Sequence, residues 1–303
     1  MTEDFTAQTT GPPEQAAGAA EGESASLWAD AWRELRRSPF FVVPALLILV
    51  LTVMAIWPQL FTNADPRDCD LARSVLRPSR EHWFGFDLQG CDYYARVIYG
   101  ARTSITVGLL VTTGTVIIAV TFGSIAGYYG GVIDTILARI TDIVFGIPLI
   151  LGAIVMLTVL PRRGVGELAL VLMVFSWPPM LRIMRSQVLS VRSADYVQAA
   201  RALGAGDLRI LRRHILPNAI APVITYATVF FGVIIVTEAA LSFLGVGLQL
   251  PAISWGLMIS VAQVRILRVP HLLAFPGLFL SVTVFAFMML GDALRDALDP
   301  RLR

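Results

Sequence analysis

Lysine is missing altogether: every one of the 24 basic residues in this 303-residue chain is arginine. A phosphate-cradling P-loop needs its lysine, so a nucleotide-hydrolysing site of that kind is excluded, and Schiff-base lysines and lysine general bases go with it. Histidine is nearly as scarce. His82, His214 and His271 are scattered, and no His-Glu-x-x-His or other zinc-ligating spacing can be drawn from them. The Gly-x-Ser-x-Gly turn of serine hydrolases is absent too. No catalytic and no metal-binding residue is therefore expected, and an intramembrane enzyme falls away as a function class. Charge is the third shortage, at 15% Asp, Glu, Lys and Arg against about 25% in ordinary soluble domains.

What fills the space is apolar: 56% of residues are hydrophobic and the mean hydropathy is +0.69. Uncharged stretches recur, and each of near twenty residues can cross about 30 Å of hydrocarbon as a helix. The pattern predicts an all-α membrane protein with six transmembrane helices. Residues 1–26 carry Pro12, Pro13, five acids and no arginine, and read as a disordered cytoplasmic tail. In 27–39, Leu27, Trp28, Ala31, Trp32 and Leu35 share one face away from Arg33, Arg36 and Arg37, as in an amphipathic interfacial helix. The spans follow at 40–61, 103–127, 143–160, 166–181, 220–241 and 272–290. Between them lie a polar loop at 62–102, an arginine-rich segment at 182–219 and an uncharged but glycine- and proline-broken stretch at 242–271, with a tail at 291–303. Gly245, Gly247 and Pro251 leave too short a helix to cross in that stretch, so it is expected to be re-entrant or extracytoplasmic.

Orientation follows from arginine. Seven lie between Arg182 and Arg213 and three more precede the first span, which places both segments and both termini in the cytoplasm, and loop 62–102 outside. The opposing signal is loop 62–102, with six arginines and six acids. The two cysteines, Cys69 and Cys91, then face the oxidising side, where a disulfide is expected; a free pair is the alternative.

The cytoplasmic segment 182–219 holds the most informative run, Asp195-Tyr196-Val197-Gln198-Ala199-Ala200-Arg201-Ala202-Leu203-Gly204, and later Leu208 and Ile215-Leu216-Pro217-Asn218. Ala199 to Leu203 favours helix, Gly204 and Gly206 break it, Leu208 to Ile215 favours helix again, and Pro217 is expected to stop it. The result is an elbow of two short helices with a small-residue face, which an ordinary amphipathic loop could also produce. At these residues a resemblance becomes specific. Gln198-Ala199-Ala200, with Gly204 after three intervening residues and Leu216-Pro217 further along, resembles the coupling loop of ABC importer permeases, with Gln198 where the wider pattern has Glu. Three further stretches narrow the family: His82-Trp83-Phe84-Gly85-Phe86-Asp87 with Arg96 to Arg102; Glu238-Ala239-Ala240-Leu241-Ser242-Phe243-Leu244-Gly245 with Ser254-Trp255-Gly256; and Leu290-Gly291-Asp292 through Asp299-Pro300-Arg301. Together they are similar to the shorter-looped permease of the dipeptide/oligopeptide import family.

That resemblance implies an importer permease of the bacterial plasma membrane. Its implied partners are a second homologous permease, two ABC ATPase subunits or domains, an extracytoplasmic peptide-binding protein and the lipid bilayer, with no nucleic acid. ATP and Mg would be bound by the ATPase partners, and this chain would hold no cofactor. Tyr196, Gln198, Ala199, Ala200, Gly204, Leu208, Leu216 and Pro217 would meet the ATPase. Glu238 and Ser242 are candidates for the pathway or a gate, against a packing role for a helix-end acid. Nickel-chelate and glutathione importers use related permeases. An ion-coupled secondary transporter would need ionisable groups at mid-bilayer, and Glu238 alone is a candidate for one. Trp255 is expected to anchor at the interface. The isolated chain should hydrolyse no ATP; turnover in a preparation free of other subunits would contradict the lysine argument.

Overall fold

The computed structural model describes residues 32 to 298 apart from 34. The tail at 1–26, most of the amphipathic lead-in and the last residues of 291–303 lie outside the described residues. Among those described, every regular element is helical, and strand-like pairing is confined to isolated bridges, Cys69 with Cys91 and Phe86 with Asp92.

Helix α1 (Pro39–Ile56) starts on a proline, whose missing N–H costs nothing in a first turn. It ends earlier than the expected 61, because Pro58 disfavours helical geometry at the preceding residue and Trp57 turns out at φ −125°, ψ 67°. The carbonyls left open there are met from another helix: the Arg102 guanidinium donates to the Ala55 and Ile56 oxygens at 2.9 and 2.8 Å.

Helix α2 (Tyr93–Tyr129) begins at Tyr93 rather than 103. Asp92 is extended and its carboxylate accepts the Ala95 amide at 2.9 Å, which is an N-cap. The charges that suggested a loop are spent inside the structure, Arg102 on α1 and Arg96 on the Asp87 carboxylate. Near its other end a π turn (Ala119–Gly123) and two glycines bring α2 against its neighbour: a Cβ on Gly123 would lie 2.9 Å from the Leu181 carbonyl oxygen, and one on Gly127 2.8 Å from that of Arg185. Small residues four apart permit this approach of two helices in a membrane.

Two helix pairs are sharply bent. α3 (Gly131–Phe145) meets α4 (Leu149–Val159) at 81°, and α5 (Val165–Ser176) meets α6 (Pro178–Arg192) at 49°. Gly146 and Pro148 make the first bend, and Pro178 and Pro179, which donate no backbone hydrogen bond, the second. Asp134 is paired with Arg185, whose Nη2 donates at 2.6 Å, and Asp142 with Arg182 at 2.8 Å, so α3 is tied to α6. The chain continues through α7 (Asp195–Ala202), a helical stretch α8 at 207–219, α9 (Ala221–Phe243), α10 (Trp255–Ala262) and α11 (His271–Leu298), which runs past the expected 290. Four helices are long and apolar enough to cross a membrane, or up to six if each bent pair is one span. Leu46, Leu109, Val155, Leu170 and Phe285 point outward along them, a belt suited to lipid or to another chain rather than to water.

Residues between α1 and α2 form a cap of turns closed by a disulfide between Cys69 and Cys91. Gly90, at φ +74°, and Gly85, at φ +69°, admit no side chain, since a Cβ would sit 1.8 Å from the Asp70 carbonyl oxygen at the first and 2.3 Å from that of Leu76 at the second. Asp87 accepts the Gln89 and Cys91 amides at 2.8 and 2.9 Å while pairing with Arg96, so the cap is anchored to the first turn of α2. Closing a loop of this length adds about 3 kcal/mol in the chain-entropy account. The chain denatured without reductant should expose no reactive thiol, and two after reduction; labelling before reduction would show the cap open.

Candidate functional site

Two clusters gather the residues singled out in the sequence. In the first, Glu238 and Ser242 stand one turn apart on α9 and both are fully buried. Three hydroxyls reach the carboxylate: Ser104 of α2 at 3.1 Å, Ser242 at 3.0 Å and Ser254, the N-cap of α10, at 3.0 Å. Each of these oxygens also accepts a backbone amide, from Trp255 to Ser104 at 3.3 Å, Leu248 to Ser242 at 3.2 Å and Leu257 to Ser254 at 3.2 Å. A serine hydroxyl has one proton, so whenever Glu238 is ionised the three protons all point at it. Close backbone contact surrounds it: a Cβ on Gly256 would lie 2.5 Å from the Ala239 Cα, and one on Gly247 2.6 Å from the Ser242 hydroxyl. Trp255 is completely buried and donates its indole N–H to the Val97 carbonyl at 2.9 Å, so it is a core residue and not an interface anchor.

Ser104 was not singled out in the sequence, and Ser254 only as part of the Ser254-Trp255-Gly256 stretch. Ser254 carried a signal, since a serine just ahead of an apolar helical run is an N-cap type, whereas Ser104 is one hydroxyl among many in an uncharged stretch. Among the described residues no group of three His, Cys, Asp or Glu could hold a metal ion.

The second cluster is the elbow. α7 closes with two paired bonds, Ala205 N–H to the Ala200 carbonyl at 3.1 Å and Gly204 N–H to that of Arg201 at 3.0 Å, around Gly204 at φ +83°. This is the helix ending that needs a left-handed residue, and glycine adopts it without strain. The second arm does not stop at Pro217. A π turn (Leu211–Ile215) widens the helix just ahead of it, and Pro217 then sits in the first turn of Leu216–Ala219, where no N–H is required of it. Val197, Ile210, Ile215 and Ala219 are buried against the bundle. The Tyr128 hydroxyl at the end of α2 donates to Asp207 at 2.7 Å, and the Arg201 guanidinium lies over the Tyr128 ring.

The opposite side is open. Leu203 is 88% exposed and Leu208 65%, with Tyr196, Gln198 and Ala199 beside them, and Ala200 and Leu216 half-buried. Gln198 reaches back to the Arg192 carbonyl at 3.2 Å. Gly204, Leu208, Arg209, Arg212 and Arg213 line one shallow depression. The elbow thus presents bare leucines rimmed by cations, a composition that pairs with an apolar groove edged by acids.

Replacing Glu238 by Ala should orphan three buried hydroxyls, each at about 1–3 kcal/mol, and strip assembled protein from the membrane. Glu238→Gln should be intermediate, since its amide turns two donors toward hydroxyls that already donate; full stability of both variants, read as the detergent-solubilised melting temperature, would dissolve the network argument.

Comparison with known proteins bears on the whole chain. The family model described as binding-protein-dependent transport system inner membrane component matches residues 119–303, and that described as the N-terminal TM domain of oligopeptide transport permease C matches residues 26–78. The dipeptide transport system permease protein DppC of Alkalihalophilus pseudofirmus is 38% identical over 92% of this chain and 91% of its own. DppC of Bacillus subtilis is 41% identical over 92% of this chain and 88% of its own, and the glutathione transport system permease protein GsiD of Pectobacterium atrosepticum 37% identical over 91% and 92%. A crystal structure of an amino acid ABC transporter with histidines superposes with a TM-score of 0.52 at 17% identity, covering 66% of this chain and 92% of that one, a likeness of fold.

Proposed function

Because the chain belongs to the family of binding-protein-dependent transport system inner membrane components, we propose that it is the permease subunit of an ATP-driven importer of dipeptides and oligopeptides in the bacterial inner membrane. The relatives bearing dipeptide and oligopeptide permease names, matched along nearly their full lengths, support this cargo. Glutathione is the second reading, favoured by the GsiD relatives, and it too is a small peptide acid. With each bent pair taken as one span the chain crosses six times, with both ends and the elbow in the cytoplasm and the disulfide-closed cap outside. It works with a second permease, a pair of ATPase subunits that bind ATP and Mg, and a binding protein that delivers peptide to the cap side.

The observation that carries the mechanism is the bare apolar edge of the elbow. Leu203 and Leu208 stand in water unless a partner covers them, and the buried inner side of the same elbow is fixed to α2 through Tyr128 and Asp207. When ATP draws the two ATPase subunits together, the elbow is pushed as one unit and α2 and α6 move with it. The bundle then alternates between openings to the two sides.

In the whole complex, Gly204→Val puts a β-branched side chain into a left-handed turn at about 1–2 kcal/mol, and Ala200→Trp props the docking face open. Both should lower ATP-dependent peptide uptake several-fold while the subunit still inserts and assembles, and Gln198→Glu should be close to neutral. Normal uptake by the first two variants would remove the elbow from the mechanism.

A further inference from the structure

Both broken spans bend at the same place in the bundle. α4 has 11 residues and α5 12, so each is about 16–18 Å long and its inner end lies near the middle of a bilayer of about 30 Å hydrocarbon. Between those inner ends and the middle of α9 is an open cavity of about 280 Å³, walled by Phe145, Ile147, Phe175, Tyr226 and Phe230. Its lining is aromatic and aliphatic with two departures.

One departure is the start of α4. That helix begins after Pro148 with no side-chain cap, and its first closed turn is Gly152 N–H to the Pro148 carbonyl at 2.9 Å. The amides ahead of that turn are orphan donors, with the positive end of the helix dipole behind them. α6 adds little here, since its first two residues are prolines. The other departure is Ser176, the last residue of α5. It is 3% exposed, lines the cavity, and its hydroxyl has no hydrogen-bond partner. Helical hydroxyls elsewhere in the bundle fold back onto a carbonyl four residues earlier, as Thr141, Thr237 and Thr283 do. Thr112 and Thr115 are unpartnered as well, but they lie outside this cavity wall.

Leu149 at the uncapped start of α4 and the unused Ser176 hydroxyl line one cavity and offer hydrogen-bond donors to an anion there, set against the carbonyl ends of α3 and α5 at Phe145 and Ser176, and the rings around them match an apolar group next to it. We propose that this cavity is a way-station for the transported peptide, which takes its terminal carboxylate on the Ser176 hydroxyl and the first-turn amides of α4, and an adjoining side chain among Phe145, Phe175, Tyr226 and Phe230. The inference rests on the peptide-import reading for the identity of the anion, and on the cavity alone for its preference for negative charge.

The test uses Ser176→Cys in the complete reconstituted transporter. Cys69 and Cys91 are bonded to each other, so the introduced thiol is the single reactive one on this chain, and its labelling is read on the separated subunit. Rates with the anionic sulfonatoethyl and the cationic trimethylammonioethyl methanethiosulfonates are each divided by the rate on a small free thiol. The anionic reagent should be favoured by about five-fold, as the field of a helix terminus provides. A tripeptide acid should slow labelling by a similar factor and the same tripeptide as its C-terminal amide should not. Equal rates, a preference for the cation, protection by acid and amide alike, or a thiol inert to both reagents through the ATP cycle would each overturn the proposal. Uptake of radiolabelled tripeptide by the wild-type complex is scored separately: its absence counts against peptide import, while the reagent preference still reports on the cavity.

Discussion

A carboxylate in the interior of a helix bundle has to be compensated there, because hydrocarbon and close-packed apolar side chains offer nothing to it. Among the described residues no cation pairs with Glu238; it is held by three hydroxyls that each arrive from a different part of the fold. Satisfying this carboxyl group and bringing α2, α9 and α10 together are therefore a single event. The glycines at 247 and 256 let backbone close over the site, and Trp255 fills the remaining volume while its N–H goes to α2. Remove the carboxylate and α10 loses the group that its N-cap serine, and through Ser104 its first amide, are arranged around.

The inner half of the bundle is held on a different principle. There Asp134 meets Arg185 and Asp142 meets Arg182, both pairs partly open to solvent, where the charges need little compensation and contribute little, at about 0–1 kcal/mol for such pairs. Those pairs tie α3 to α6, and the contact of Gly123 and Gly127 with the backbone of α6 brings α2 against it at the same level. The outer half is thus fastened by a directional polar knot and the inner half by shape. Bends at Gly146–Pro148 and Trp177–Pro178 set the angles between α3 and α4 and between α5 and α6, while α2, α9 and α11 run on unbroken beside them.

How much of this was legible in the sequence depends on how far apart the cooperating residues are. The elbow was legible, because Gly204, the helix former run before it and the small residues at 199 and 200 act within a few positions of one another. So were the positions of the apolar helices, since burial in lipid imposes composition on every residue of a span. Helix starts and stops were not. Arg96 and Arg102 looked like loop charges until Asp87 and the end of α1 were placed beside them, and Pro217 looked like a stop until the π turn ahead of it gave its ring room. The partners of Glu238 were out of reach for the same reason: Ser104 is 134 residues away, and nothing local marks it as the donor. Trp255 reads as amphipathic from its type, yet its indole proton is used by a carbonyl 158 residues distant.

α2 runs for 37 residues without a break in its backbone path, about 55 Å at 1.5 Å per residue. At one end the disulfide and the Asp87–Arg96 pair weld the cap to it, and at the other Tyr128 holds the elbow through Asp207. The cap and the elbow are in effect the two ends of one pushrod. A helix is stiff along its axis and soft in bending, so axial displacement passes from end to end nearly undiminished while lateral displacement is absorbed at the π turn between Ala119 and Gly123. News of what sits on the cap can therefore reach the elbow as a change of height, with no chain of rearranging side chains in between.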